Sequence, residues 1–336
     1  MKKRTTLKDI AREMNVHHST VSRALHDHPS VNHETKVSIK SMADKLKYHP
    51  NKIARQLRQN SSNVIGVIVP EIKHHFFANV ISGIEEASYQ KGYVIMVCQS
   101  NEHYDREVMN THALISNNAS GLLVSLSQET DDLMHLDDYL RTGGKLVLFD
   151  RITNNIDVSK VVVDDFHGAY LATKHLIKKG KKRIAHIAGT NILSITQQRL
   201  NGYKAALQNF NIKYNPDLVV FSGFHEINGA LAMQKLLDLE TPPDAIFAVN
   251  DPVAIGTYDV IKSRGLRIPE DIAVVGFSNN PTSSLVEPSL TTIEQPSFEI
   301  GRRAVEILIN ELQAQNGQIE PYTEILETRL IVRNSS

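Results

Sequence analysis

The chain has 336 residues, 41% of them hydrophobic, a formal net charge of +0 and one cysteine, Cys98. That length supports two or three domains with ample core, and a lone cysteine excludes an internal disulfide framework and fits a reducing cytoplasm. No stretch approaches the roughly 18 apolar residues of a membrane span, and the basic start MKKRTTLKDI has no apolar run behind it, so neither a membrane protein nor a secreted one is expected. The zero charge is unevenly spread. Residues 1–62 carry 13 Lys+Arg and 5 Asp+Glu, a balance of +8, and the remainder carries −8. A basic head on an acidic body points the head toward a polyanion, although a solvated charge run would look the same.

Thr6 is placed to cap a first helix whose face is Leu7, Ile10, Ala11 and Met14. Asn15-Val16-His17 breaks the pattern, and Val21, Ala24 and Leu25 form a second short stripe. A third helix runs from about His33 to Leu46, with Asn32 as its cap and Ile39, Met42, Ala43 and Leu46 inward. Three short helices with a tight turn between the first two is the helix-turn-helix layout, in which the start of the second helix enters the DNA major groove. Those residues are His18, Ser19, Thr20, Ser22 and Arg23, and the Arg23 fork matches the O6/N7 edge of guanine. His17 reads as a turn or phosphate contact, and Thr6 joins the candidate set. Neighbouring residues on a helix point apart, so His17-His18 is not expected to chelate an ion. After Pro50, Asn51 is placed to cap a short basic helix over about 52–58 that carries Arg55, Ala54 and Leu57. Two turns are marginal alone and need a partner, and the polar QNSSN that follows reads as a linker.

Beyond residue 62, apolar runs alternate with amphipathic helices. NVIGVIVP, GYVIMVCQ, GLLVSL, KLVLFD and KVVVDD read as buried strands, with helices at about 77–91, 106–117 and 130–142. The alternation restarts with RIAHIAG, LVVFSG, AIFAVN and IAVVGF. Two such runs predict two parallel-sheet α/β lobes. Ligands of open α/β sheets sit at the carboxyl ends of strands. Those ends supply Phe76, Phe77, Asp150 (with Arg151 beside it), Asp164, Arg199, Phe224, Asn250, Asp251, Ser278 and, later, Gln295. Aromatic faces with charged and amide groups suit a small polar ring. Plainer roles compete: Phe76 or Phe77 as core, Asp164 or Asp165 as a helix cap, Arg199 as a structural cation. His74-His75 has no evident third ligand, so no metal and no cofactor are expected.

The segments TLKDIAREMNVHHSTVSRAL, KLKYHPNKIARQLR, IGVIVP, QQRLNGYKAAL, PDAIFAVNDPVAIGTYDVIKSRGLRIPEDIAVVGF and PSLTTIEQP together resemble the lac-repressor/gal-repressor family of bacterial regulators, in family order and along essentially the whole chain. The resemblance implies an N-terminal all-α helix-turn-helix domain (1–50), a hinge and linker (51–62), and a two-lobed periplasmic-binding-protein-like domain (63–336). Its first lobe would hold about 63–165 and 293–325, and its second about 166–292 and 326–336. It implies that paired hinge helices enter the minor groove with Leu57 as a wedge, Ala54 allowing close approach; the plainer role for Leu57 is a contact to the body. It implies that positions matching Phe76, Asp150, Arg199, Phe224, Asn250 and Gln295 line an effector pocket. Family members usually carry an aspartate after VVGF, where this chain has Ser278, which weakens any claim to a specific sugar.

The expectation is a cytoplasmic homodimer that binds a near-palindromic double-stranded DNA operator under control of a small, sugar-like effector. Helices near 78–91 and a matching face of the second lobe would form its interface. IVRNSS offers no leucine heptads, so no tetramerising tail is expected. No G-x-G-x-x-G after a strand, G-x-x-x-x-G-K-[ST], H-E-x-x-H or G-x-S-x-G occurs, so no enzyme is expected. The alternative is a cytoplasmic sensor whose head binds protein or RNA.

Overall fold

The computed structural model describes residues 5–25, 27–46, 48, 63–314 and 319–336. The chain divides into two compact units, residues 1–62 and 63–336. In the first, α1 (Leu7–Glu13), α2 (His18–Leu25) and α3 (His33–Lys45) enclose a small core. Its centre is Ile10, Val21, Ala24 and Ile39, all fully buried, with Leu7, Met14, Val16, Leu25, Met42 and Leu46 at its margin. The local chemistry explains the helix starts. Asp9 accepts both the N–H and the hydroxyl proton of Thr6, at 2.8 and 2.7 Å, closing the first turn of α1. Asn32 caps α3 by accepting the Thr35 N–H at 2.8 Å. Asn15, at φ 51, turns the chain through the left-handed region that Asn tolerates.

The second unit alternates β1 (Val64–Val69), α4 (His75–Gln90), β2 (Val94–Gln99), α5 (Tyr104–Ser116), β3 (Gly121–Val124), α6 (Met134–Arg141), β4 (Leu146–Phe149) and β5 (Ser159–Val163). It continues with α7 (Asp165–Lys178), β6 (Ile184–Ala188), α8 (Ser194–Asn209), β7 (Val219–Phe221), α9 (Glu226–Leu237), β8 (Ala245–Ala248), α10 (Asp251–Ser263) and β9 (Ala273–Ser278). Last come β10 (Thr291–Glu294), α11 (Ser297–Gln313), β11 (Thr323–Leu326) and β12 (Arg329–Ile331). Among the described residues these strands form two six-stranded sheets, β2-β1-β3-β4-β5-β11 and β7-β6-β8-β9-β10-β12. All pairings are parallel except β12 against β10. The chain changes sheet after β5, returns after β10 through α11, and changes again between β11 and β12.

Central strands carry helices on both faces and are buried throughout, as β3, β4, β6 and β8 show. The run GYVIMVCQ, expected as a buried strand, instead lies at a sheet edge, as does LVVFSG. Val94 is 62% and Phe221 47% exposed, because the strand order leaves β2 and β7 with one neighbour each. The two short strands β11 and β12 were not anticipated; each is too brief to show a period. No described helix is long and apolar enough to cross a membrane.

Candidate functional site

In the first unit, α2 turns its apolar positions Val21 and Ala24 fully into the core, which leaves His18 and Arg23 exposed and Ser19, Thr20 and Ser22 half-exposed. His17 precedes the helix, and its Nδ1 lies 2.8 Å from Ser19 Oγ and accepts the Ser19 N–H at 3.4 Å, a cap for the first turn. Helical geometry therefore does not separate the two histidines, and their ring centroids lie only 4.1 Å apart. Exposed donors of several kinds at the start of an outward helix can hydrogen-bond base edges and phosphates. Asn51, Ala54, Arg55 and Leu57 lie outside the described residues.

In the second unit, the strand ends of both sheets face one narrow cleft. The first lobe contributes His74, Phe76 and Phe77 from the start of α4, and Asp150 and Arg151 from the end of β4. The second contributes Ile195, Arg199, Phe224, Asn250, Pro252, Ser278, Asn280 and Gln295. This is the switch point of each sheet, where the chain leaves the central strands in opposite directions. Gly189 makes room for the aromatic wall: a Cβ there would stand 2.4 Å from the Phe224 ring. Positive-φ backbone also occurs at the cleft, with Asp150 at φ 58, Ser278 at φ 120 and, beside it, Asn279 at φ 52.

The cations of the cleft are held from behind. Arg151 donates to both oxygens of Glu102 at 2.7 and 2.8 Å, and its guanidinium lies 4.7 Å from the Phe224 ring centroid. Arg199 pairs with buried Asp165 at 2.7 Å, donates to the Val249 carbonyl at 2.6 Å and sits 3.8 Å over Phe277. Asn250 caps α10 by accepting the Val253 N–H at 2.9 Å and donates to the Phe224 carbonyl at 2.8 Å. Gln295 donates to Ser278 Oγ at 2.9 Å. Its Oε1, like Oδ1 of Asn280, is buried with no hydrogen bond within the protein. Two unspent acceptors, a carboxyl group and a phenylalanine wall suit a small ring rich in hydroxyl or N–H donors.

Two sequence candidates stand elsewhere. Asp164 accepts the His167 N–H at 2.8 Å and caps α7, so its oxygen is turned along the helix rather than into the cleft. Asp251 is fully buried behind the wall, where it accepts from Ser283 Oγ, the Asn280 N–H and Thr292 Oγ1. It is a structural anchor for the loop after β9. Phe77, 3% exposed, serves both the core and the cleft, and its ring meets Phe76 edge-on at 5.1 Å. His74, Ile195, Pro252 and Asn280 were absent from the sequence candidates; only Asn280, two residues past Ser278, had a positional signal. Among the described residues, Glu71, His74 and His225 gather potential metal donors. The set draws on His74, not on the His74-His75 pair.

Burial pushes the Asp150 carboxyl up to about 7, with Arg151 opposing the shift and Asp165 adding to it. The sign follows from proton linkage. Between its ordinary value of 3.8 and about 7 the folded state holds a proton that the unfolded chain has lost, so stability falls as pH rises through that window and levels off above it. Asp150→Asn removes that penalty. We expect the variant to melt higher than the parent at pH 8, by the order of 2–4 kcal/mol, and to differ little at pH 4, as read from paired thermal melts. A difference independent of pH would contradict the assignment.

The geometry agrees with known proteins. Residues 6–51 match the model for bacterial regulatory proteins of the lacI family, and residues 173–336 that for the periplasmic binding protein-like domain. The HTH-type transcriptional repressor CytR of Escherichia coli (strain K12) is 32% identical over 331 residues, 98% of this chain and 96% of the relative. This chain belongs to the LacI family. It is a DNA-binding transcription regulator with a helix-turn-helix unit and a two-sheet α/β unit. The lac repressor dimer bound to operator and the anti-inducer ONPF superposes with a TM-score of 0.87 at 25% identity, covering 99% of both chains. A transcriptional regulator CelR–cellobiose complex does so with a TM-score of 0.77 at 28% identity, covering 99% of this chain and 100% of that one.

Proposed function

We propose that this LacI-family member is a homodimeric repressor that acts in the cytoplasm on a near-palindromic operator, released or engaged by a small donor-rich effector, a sugar or sugar derivative. One observation carries the reading: a single chain joins a helix with exposed hydrogen-bonding side chains to a cleft with unspent acceptors and an aromatic wall. Cellobiose in the CelR complex supports the sugar class for that cleft. The lac repressor dimer on its operator supports the assembly. Exposed apolar residues support an interface along one edge of each sheet: Tyr89, Val94 and Met96 in the first lobe, Phe221, Ile227 and Leu231 in the second. Two heads per dimer would read two half-sites, with Leu57 as the hinge wedge between them. Ligand closure of the lobes would bias the spacing of the two first lobes, and with it the pairing of the hinge helices.

A thermal-shift screen against sugars, sugar phosphates and nucleosides tests the cleft. A true effector raises the melting midpoint of the parent and loses most of that rise in Asp150→Asn. Added to a duplex titration, it changes DNA affinity at least about fivefold. A compound that stabilises the parent through Asp150 yet leaves duplex affinity untouched would contradict the coupling.

A further inference from the structure

Glu71 follows β1 in the first lobe, and His74 stands at the N-cap of α4 three residues on. His225 comes from the other lobe, at the N-cap of α9. The fold brings all three together across the cleft. Glu71 Oε2 lies 2.7 Å from His74 Nε2 and 3.7 Å from His225 Nε2, and the donor atoms of the trio lie within 4.8 Å of one another. The donors of a tetrahedral zinc site with bonds of about 2.0–2.2 Å are about 3.3–3.6 Å apart. The observed spacings bracket that value, so closing on an ion needs only small side-chain movements.

The electrostatics ask for a cation. Glu71 is 5% exposed, and its Oε2 has no hydrogen bond of ordinary geometry although two ring nitrogens stand beside it. Its other oxygen is 3.3 Å from the exposed ammonium of Lys73. The two imidazoles stack at 5.2 Å with an 18° interplanar angle, which sets their ring nitrogens on the same side of the cleft opening as the carboxylate. One ion between the three donors would engage all of them at once.

We propose that Glu71, His74 and His225 form a binding site for a divalent transition-metal ion of the zinc class, which ties the two lobes together across the cleft. Two imidazoles and a carboxylate suit zinc, cobalt or nickel better than calcium or magnesium. Three protein ligands leave a coordination position for solvent, the pattern of an open site. An ion held by both lobes favours the closed cleft, so metal and effector would strengthen each other's binding reciprocally.

The test uses the full chain stripped with a chelator. Calorimetric titration with ZnCl2 is expected to show one equivalent per chain that weakens at least tenfold in His74→Gln and in His225→Gln. His75→Gln, exposed and next to the site, is expected to retain it. Titration with CoCl2 is expected to give the visible absorption of tetrahedral cobalt in the parent and in His75→Gln alone. His225 has a side chain 34% exposed, so its substitution leaves the core intact, and a melting curve verifies each variant. Absence of the equivalent, equal binding in all variants, or loss in His75→Gln to the same degree would overturn the site and leave a Glu–His ion-pair contact.

Discussion

Arg23→Ala is expected to weaken binding to the protein's own duplex by about 10- to 100-fold while leaving the chain folded. A bidentate arginine–guanine contact is worth about 1–3 kcal/mol of discrimination. Arg23 is exposed on α2 beside the fully buried Val21 and Ala24, so the core keeps its contacts when the side chain is cut. The loss should be specific. Fluorescence titrations across single-base-pair variants of the duplex should show the parent's preference at one position flattened in the mutant, with the other positions unchanged. Arg12→Ala, exposed on α1, gives the contrast: a uniform loss and a shallower salt dependence, as for a phosphate contact. Equal losses for Arg23→Ala on every duplex would make Arg23 a phosphate contact and move base reading to His18 or Ser19.

Arg199→Ala is expected to cost about 3–5 kcal/mol of stability, the range for breaking a buried ion pair by removing one partner. The variant strands Asp165, 6% exposed, and takes the donor from the Val249 carbonyl and the cation from the Phe277 face. Burial already pushes the Asp165 carboxyl upward against the pull of Arg199. Without Arg199 it rises further, so protonation relieves part of the damage in acid. Denaturant unfolding at pH 5 and pH 8 should show the larger loss at pH 8, and adding Asp165→Asn should recover part of it. A loss below about 1 kcal/mol would mean that solvent reaches the pair and that Arg199 serves the ligand alone.

These residues also show what the sequence could and could not disclose. Asn32 was legible as a cap because its chemistry is local, and Val21 and Ala24 as core because helical period exposes them. Asp164 and Asp165 are adjacent carboxylates with opposite fates, one capping α7 and one pairing with Arg199. Nothing in their spacing distinguishes them; only the direction of the chain entering the helix does. Asp251 follows a strand end like its neighbour Asn250, but the loop after β9 folds over it and takes its oxygens. The edge positions of β2 and β7 depend on strand order, which an apolar run does not encode. The Glu71–His225 contact joins residues far apart in the chain on different lobes, so sequence spacing could not reveal it.

The first unit is proposed to read duplex DNA as one half of a symmetric pair. Selection of binding sequences by the full chain from a mixed random pool of duplex DNA and single-stranded RNA tests it most directly. The expected result is enrichment of a near-palindromic duplex whose binding weakens steeply with salt and whose half-sites lose their preferred base pair with Arg23→Ala. Enrichment of RNA, or of no sequence at all, would contradict it.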